Sequence, residues 1–412
     1  MHINHRIIIC FSLKCRKRRL RGGTILGKSD IVIIGGGVMG SSIAYNLLND
    51  GYTGKITIFE KDPTYQYAST PRSAGGIRQL YTTAINVQIS RYSLKKYLTF
   101  AEDMAIGNEK AEIDLKQRGY LLLGNKENIN DLKIQHKIQS ENGAPSELLS
   151  KEELLSIIPE LNIDDLEGGL FCREDGYLDP YSVLQGYARK TRQLGGQYVY
   201  EEVDTILTEG SKISGVRLKN GVVYKSPIVI NAAGAWASTL SEKIGLPIPV
   251  IPLKRQITQF DIAVPLKKKL PLTIDVTGVY FRHEGDQLIV GYAEEVEPGI
   301  DFTWSRSLFL EQLWPILSHR VSNFEQAKII RGWAGLYDHN TKDQNAIIGE
   351  HPELTRYYLV CGFSGHGMQQ APAIGKGMSE LIREGRYRTV DLSPLSYERF
   401  ERNELIVEEG IY

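Results

Sequence analysis

"SDIVIIGGGVMGSSIAYNLLNDG" runs from Ser29 to Gly51. Its residues 31–34 are an uninterrupted apolar run, the pattern of a short strand buried on both faces of a parallel sheet. Three glycines follow, then apolar residues at helical spacing up to Asp50-Gly51. Strand, glycine turn and helix in that order predict a dinucleotide-binding unit. Gly35, Gly37 and Gly40 carry the GxGxxG spacing around Val38 and Met39. The first allows the tight turn, the second lets backbone N–H groups approach a pyrophosphate, and the third lets the helix pack close to the sheet. The helix N-terminus then faces the phosphates with its partial positive charge. The next strand, in "KITIFEKD", ends at Glu60, twenty residues beyond Gly40, with Lys61 beside it. A carboxylate at that position binds a ribose hydroxyl and disfavours a 2′-phosphate, so NAD or FAD fits and NADP does not.

Further along, "RGYLLLG" (118–124) reads as a strand between charged helical segments. "GYLDPYSVLQGYARKTRQLGG" has a proline at a helix start and a glycine pair at its end. Strands then alternate to about residue 234, with Lys219-Asn220-Gly221 as a hairpin turn. "YYLVCGFSGHGMQQAPAIGKGMSELI" is again strand, glycine loop and helix. Such units at both ends, with a β-rich insertion between, predict an α/β Rossmann-like nucleotide domain built from 30–90, 178–250 and 330–390. A β-rich, α+β substrate domain takes 91–177 and 251–329, and 391–412 is left as a C-terminal tail.

Basic and acidic residues are equal at 49 each, but residues 1–29 hold eight of the basic ones and no acid. The body keeps 41 against 49, a negative balance that argues against nucleic-acid binding. Cys10, Cys15, Cys172 and Cys361 show no metal or redox spacing, which favours a reducing compartment. No apolar run reaches the roughly 20 residues of a membrane helix. Residues 1–29 read as an extension outside the fold. A mitochondrial presequence is one reading. A secretory signal is another, although "IIICF" precedes the basic cluster "RKRRLR" rather than following it. Translated upstream DNA before a start at Leu26 is the preferred third. A cytoplasmic, bacterial location follows from that, a mitochondrial one from the first.

Three more segments carry a specific resemblance. "ASTPRSAGGIRQLY" (68–81), "VINAAGAWA" (229–237) and "GFSGHGMQQAPAIGKGMSEL" (362–381) resemble the flavin-contacting segments of the D-amino-acid oxidase superfamily. They are most similar to its sarcosine oxidase, dimethylglycine dehydrogenase and glycine oxidase branch, over residues 30–398. The resemblance implies FAD as cofactor. It implies that Ser69 and Thr70 hold the pyrophosphate, that Val203 backs the adenine, and that Ala233 and Gly234 pass near the cofactor. Gly365, His366, Gly367, Met368 and the adjoining Gln369 would lie against the flavin.

Departures from the family pattern matter as much. Relatives that bind FAD covalently use a histidine where this chain has Arg72, or a cysteine where it has Gly335, so attachment is expected to be non-covalent. Family carboxylate-binding residues align with Tyr337 and Gln369, and the oxygen-activating lysine falls on Ile289. Arg78 is then the expected carboxylate ligand, with Arg282 and Arg331 as weaker candidates. Tyr280 and Tyr337 would cap the pocket, and His366 would tune the flavin, accept a proton or simply bond to flavin or backbone. The implied activity is oxidation of the C–N bond of a small amine or amino acid (sarcosine, proline or glycine-like) by hydride transfer to flavin. The electrons would go to oxygen or a redox partner, with dehydrogenase favoured over oxidase. Two alternatives stand beside it. One is an FAD subunit of a multi-subunit dehydrogenase. The other is a non-enzymatic flavoprotein, since "GFSGHGMQQAP" also resembles an assembly factor for mitochondrial complex I.

Overall fold

The computed structural model describes residues 26–410. Ile31–Ile34 lies in the middle of five parallel strands, in the order Leu354–Cys361, Val229–Asn231, Ile31–Ile34, Ile56–Phe59, Gln197–Val199. Every residue of Ile31–Ile34 and Ile56–Phe59 is buried, which is why neither strand alternates polar with apolar. The helices Val38–Asn49 and Gly367–Glu384, from opposite ends of the chain, pack together on this sheet. Gly375 sets their closest approach: a Cβ there would lie 2.2 Å from Ser42 Oγ, whose hydroxyl donates to the Ala371 carbonyl at 2.7 Å. The helices Ala84–Leu98 and Pro180–Gln193 complete the layer with Ile85, Ile89, Tyr97, Val183 and Tyr187.

The second sheet has eight strands, ordered Lys328–Asn340, Val250–Asp261, Gln287–Tyr292, Tyr280–Glu284, Leu272–Ile274, Tyr120–Asn125, Leu166–Cys172, Ser146–Ser150. One face packs on helical segments over 306–326 through Phe260, Phe281, Phe309 and Phe324. The opposite face looks toward the nucleotide domain. This is the α/β domain with a β-rich second domain that the sequence predicts.

The domain limits differ from the sequence reading at four places. Leu26–Lys28 pairs in parallel with Val223–Lys225, and Ser29 is buried with its hydroxyl 2.6 Å from that of Thr57. The sheet therefore starts before residue 30, while residues 1–25 lie outside the described residues. The helix Ala84–Leu98 runs through the 90/91 limit, because its apolar side packs on the helix Gly367–Glu384. Lys328–Asn340 pairs along its length with Val250–Asp261, so 330–340 belong to the second sheet. Residues 391–410 are built into the body rather than trailing from it. Leu392 and Leu395 join the main core, Arg399 grips Asp343 at 2.7 and 3.0 Å, and Glu408 is fully buried. No described helix is long and apolar enough to cross a membrane.

Candidate functional site

A cavity of about 770 Å³ lies between the two layers. Two helix N-termini open onto it, at Gly37–Met39 and at Gly367–Gln369, and neither is capped by a side chain. Their first-turn N–H groups are thus available to an anionic or carbonyl-bearing ligand. In the second helix, Pro372 has no N–H for the carbonyl of Met368. The buried Tyr97 hydroxyl donates to that carbonyl instead, fixing the first turn beside the cavity.

The glycine positions show that the cradle fits a dinucleotide. Gly35 has φ +100°, and a Cβ there would meet the Ala232 carbonyl at 2.3 Å. A Cβ at Gly40 would lie 2.0 Å from the Gly35 carbonyl. At Gly37 a Cβ would touch no protein atom within 4 Å, although the residue lines the cavity, so its open side is where the ligand would pass. Glu60 is buried with one carboxylate oxygen accepting from Gly36 N and the other from Asp62 N, both at 2.9 Å. Burial pushes its pKa up and those N–H groups pull it back. Lys61 stacks its ammonium over Trp236, 3.2 Å from the ring centre. Ser69, Thr70, Val203, Ala233 and Gly234 line the same cavity. The Ser69 hydroxyl donates to the Leu336 carbonyl at 2.6 Å, which ties this loop to the second sheet. Arg72 and Gly335, the positions that the resemblance aligns with covalent attachment points, are neighbours: a Cβ on Gly335 would lie 3.0 Å from Arg72 Cβ.

The sheet face opposite the cradle contributes Tyr120, Arg255, Ile257, Leu272, Tyr280 and Tyr337 to the wall. Strand register explains the set: Arg255 pairs with Gly335, Leu272 with Tyr120, and Tyr280 with Gly291. Gly365, at φ +99°, leaves room for the Tyr337 ring, whose Cζ would be 2.5 Å from a Cβ there. Burial holds the phenols of Tyr280 and Tyr337 above their ordinary pKa, so both remain hydrogen-bond donors at neutral pH.

Arg78 reaches the cavity wall but is heavily engaged. Its Nη1 donates to the Leu80 carbonyl at 2.9 Å and its Nη2 to the Gly410 carbonyl. Its backbone N–H is held by Gln369 Oε1 at 3.0 Å. Nη2 also lies 3.0 Å from His366 Nε2. A guanidinium only donates, so that nitrogen accepts and the imidazole carries its proton on Nδ1. Burial, with the Arg78 charge next in size, keeps the His366 pKa well below its ordinary value. His366 is therefore neutral, and it also packs edge-on against Tyr81 at 4.9 Å. The two weaker arginine candidates fall elsewhere. Arg282 is spent on the Ala74 and His283 carbonyls and on Glu284, and Arg331 is exposed and bound to Gln259. Neither lines the cavity.

Residues 30–381 match the protein family described as DAO, FAD dependent oxidoreductase. The chain belongs to the DAO family of FAD-dependent oxidoreductases. Among curated relatives, "FAD-dependent oxidoreductase domain-containing protein 1" of Xenopus laevis is 35% identical, over 93% of this chain and 85% of that protein. Mitochondrial dimethylglycine dehydrogenase of Rattus norvegicus is 27% identical over 90% of this chain, which covers 45% of that longer protein. Among solved structures, L-proline dehydrogenase from P. horikoshii superposes with a TM-score of 0.84 at 31% identity, covering 93% of this chain and all of that one. Glycine oxidase from Geobacillus kaustophilus gives 0.77 at 26%, covering 90% and 98%. The DAO family supplies FAD as the cofactor, and the uncapped helix termini, Gly37 and Glu60 are the features that suit it.

Sequence reading missed four parts of this DAO-type site. They are Arg255, Tyr120, the fully buried Asp175 behind the Arg78 loop, and the C-terminal stretch around Glu408. Glu408 accepts from Thr82 N and Oγ1, Thr83 Oγ1 and Asn86 Nδ2, and so holds Gly410 against Arg78. Alternation along "VIPLKRQITQFD" places Arg255 and Ile257 on one face, but only its pairing with Lys328–Asn340 makes that face a cavity wall. Nothing local marks the other three.

Proposed function

We propose that this chain oxidises the carbon–nitrogen bond of a small amine or amino acid, with non-covalent FAD as the oxidant. The observation that carries the reading is a single one. The uncapped helix start at Gly367–Gln369, a family flavin segment, faces a wall with a buried guanidinium and tyrosine hydroxyls and no basic histidine. That wall suits a compact, carboxylate-bearing amine. The similar proteins named for L-proline, glycine and dimethylglycine support the substrate class.

Bound flavin would supply the redox chemistry, as the acceptor of a hydride (one proton with two electrons) from the substrate carbon. The protein's own part is binding and exclusion. Tyr120 and Tyr280, both more than nine-tenths buried, keep water from the wall. Neutral His366 does not protonate the amine; it accepts from Arg78 and helps hold the loop that carries Gln369. The nitrogen releases its proton to solvent, and the imine then takes up one water and hydrolyses to a carbonyl compound and an amine.

An acceptor other than oxygen fits Ile289, which is buried on the same strand face as Gly291, where relatives carry lysine. The cavity's only lysines among the described residues are Lys61 and Lys243. Cys172 and Cys361 are buried and unpaired, which fits a reducing compartment such as bacterial cytoplasm. The test is a screen of secondary amines and amino acids with an artificial electron acceptor beside air alone. Turnover with the acceptor and little in air supports the reading. Full activity in air would overturn the dehydrogenase assignment, and turnover of none, in an FAD-loaded protein, would favour a non-enzymatic flavoprotein.

A further inference from the structure

Arg255 is a half-buried wall arginine with one guanidinium edge that no described protein acceptor meets. It sits mid-strand in Val250–Asp261, opposite Gly335, and lines the cavity. Its Nη1 donates to the Lys254 carbonyl at 2.9 Å and the Glu294 carbonyl at 3.1 Å, which fixes the plane of the guanidinium. Its Nε is buried and has no hydrogen-bond partner, and no protein acceptor meets Nη2 among the described residues. The Glu294 carboxylate accepts from Gln256 Nε2 at 2.6 Å and makes no hydrogen bond to the guanidinium, although its charge acts on Arg255 from nearby. An arginine stays charged even where burial lowers its pKa, and a buried N–H without an acceptor is costly. The pair Nε and Nη2 is one of the two edges by which a guanidinium holds both oxygens of a carboxylate. The Tyr337 ring centre lies 5.3 Å from Cζ, and Tyr280 stands on the same face two strands away.

We infer that Arg255, through its Nε–Nη2 edge, holds the carboxylate of the substrate, in the place that sequence reasoning gave to Arg78. The inference rests on the reading of the cavity as an amino-acid site. It narrows the substrate to an amino acid rather than a simple amine. It also gives Arg78 a different task, positioning: its fork ties Leu80, Gly410 and His366 together beneath the substrate. Arg255 is thus a specificity-determining residue that a strand of mixed polar and apolar residues conceals.

The test uses FAD-loaded protein and two isosteric probes, pyrrole-2-carboxylate and its neutral carboxamide, with affinity read from the perturbation of flavin absorbance. The wild type should prefer the acid by about 30-fold or more, the range expected for a charge pair in a desolvated pocket. Arg255→Met should bring that preference close to one while leaving the amide's affinity within about 3-fold, since only the charged contact is lost. Arg255→Lys should restore part of it, because a point charge cannot reproduce the fork. Arg78→Met should keep the preference for the acid. If Arg255→Met fails to load FAD, Arg255→Lys and Arg255→Gln carry the same comparison. An undiminished acid preference in the Arg255 variants, its loss only with Arg78→Met, or no preference in the wild type would each overturn the inference. Oxidation of amines in the acceptor screen would stand regardless, so the two readings fail separately.

Discussion

Asp175 offers a prediction that reaches the site from behind. Its carboxylate is fully buried and accepts from Gln79 N at 2.8 Å and Gln79 Nε2 at 2.9 Å, immediately after Arg78 in the chain. Burial outweighs these bonds and pushes its pKa from 3.8 up to about 7. In the unfolded chain the group loses its proton near pH 4. Between pH 4 and 7 the folded state therefore holds more protons than the unfolded one, and stability falls as pH rises through that window. Above pH 7 both states are ionised and the contribution is constant at its least favourable value. A shift of about three units at 1.36 kcal/mol each gives roughly 4 kcal/mol in all. At roughly 2.1 cal/mol/K per residue, a chain of this size loses about 5 °C of melting temperature for that energy. Asp175→Asn removes the titration, and the Gln79 amide can turn over to satisfy the new NH₂. Melting temperatures of both proteins across pH 4.5–8 should converge at the acid end and separate by about that amount at the alkaline end, the variant being higher. Asp338, raised to about 6, titrates in both proteins and cancels in the difference. Parallel curves across the window would refute this account of Asp175.

Three further outcomes follow from the cavity. Gly37→Val should abolish FAD uptake while the apo protein melts within about 1 kcal/mol of the wild type, because a Cβ there meets no protein atom; normal flavin content would remove the anchor of the dinucleotide reading. Tyr97→Phe strands the Met368 carbonyl over Pro372 and should cost about 1–3 kcal/mol together with weaker FAD binding, measured by denaturation and flavin release. An unchanged stability would mean that another group replaces the hydroxyl. Acid precipitation should free all the flavin into the supernatant, since neither Gly335 nor Arg72, which the resemblance aligns with attachment points, can form that bond; fluorescence remaining on the denatured polypeptide would contradict non-covalent binding.

The nucleotide domain was legible because its signals are local. Ile31–Ile34, the glycines and Glu60 lie within thirty residues, and each demands its residue type for a backbone or burial reason. The flavin-side segments were legible only by resemblance, since a glycine loop such as 362–367 carries no chemistry by itself. What was missed depends on pairing between distant strands. Arg255 becomes a wall residue only when Val250–Asp261 aligns with Lys328–Asn340, and "VIPLKRQITQFD" is polar on both faces. Arg78 read as a free fork because its partners, Leu80, Gly410 and His366, come from three segments. The last stretch, "NELIVEEGIY", looks like a charged tail; its role rests on Glu408 finding Thr82, Thr83 and Asn86, more than 320 residues away in sequence. Leu26–Lys28 is too short to register as a strand without its neighbour Val223–Lys225.

The most direct test of the central claim is anaerobic addition of L-proline, sarcosine, N,N-dimethylglycine and glycine, one at a time, to FAD-loaded protein while flavin absorbance is followed. The account predicts that at least one of them bleaches the flavin fully and that dithionite added afterwards produces no further change. An oxidised flavin with all four, in protein that dithionite reduces at once, would contradict it.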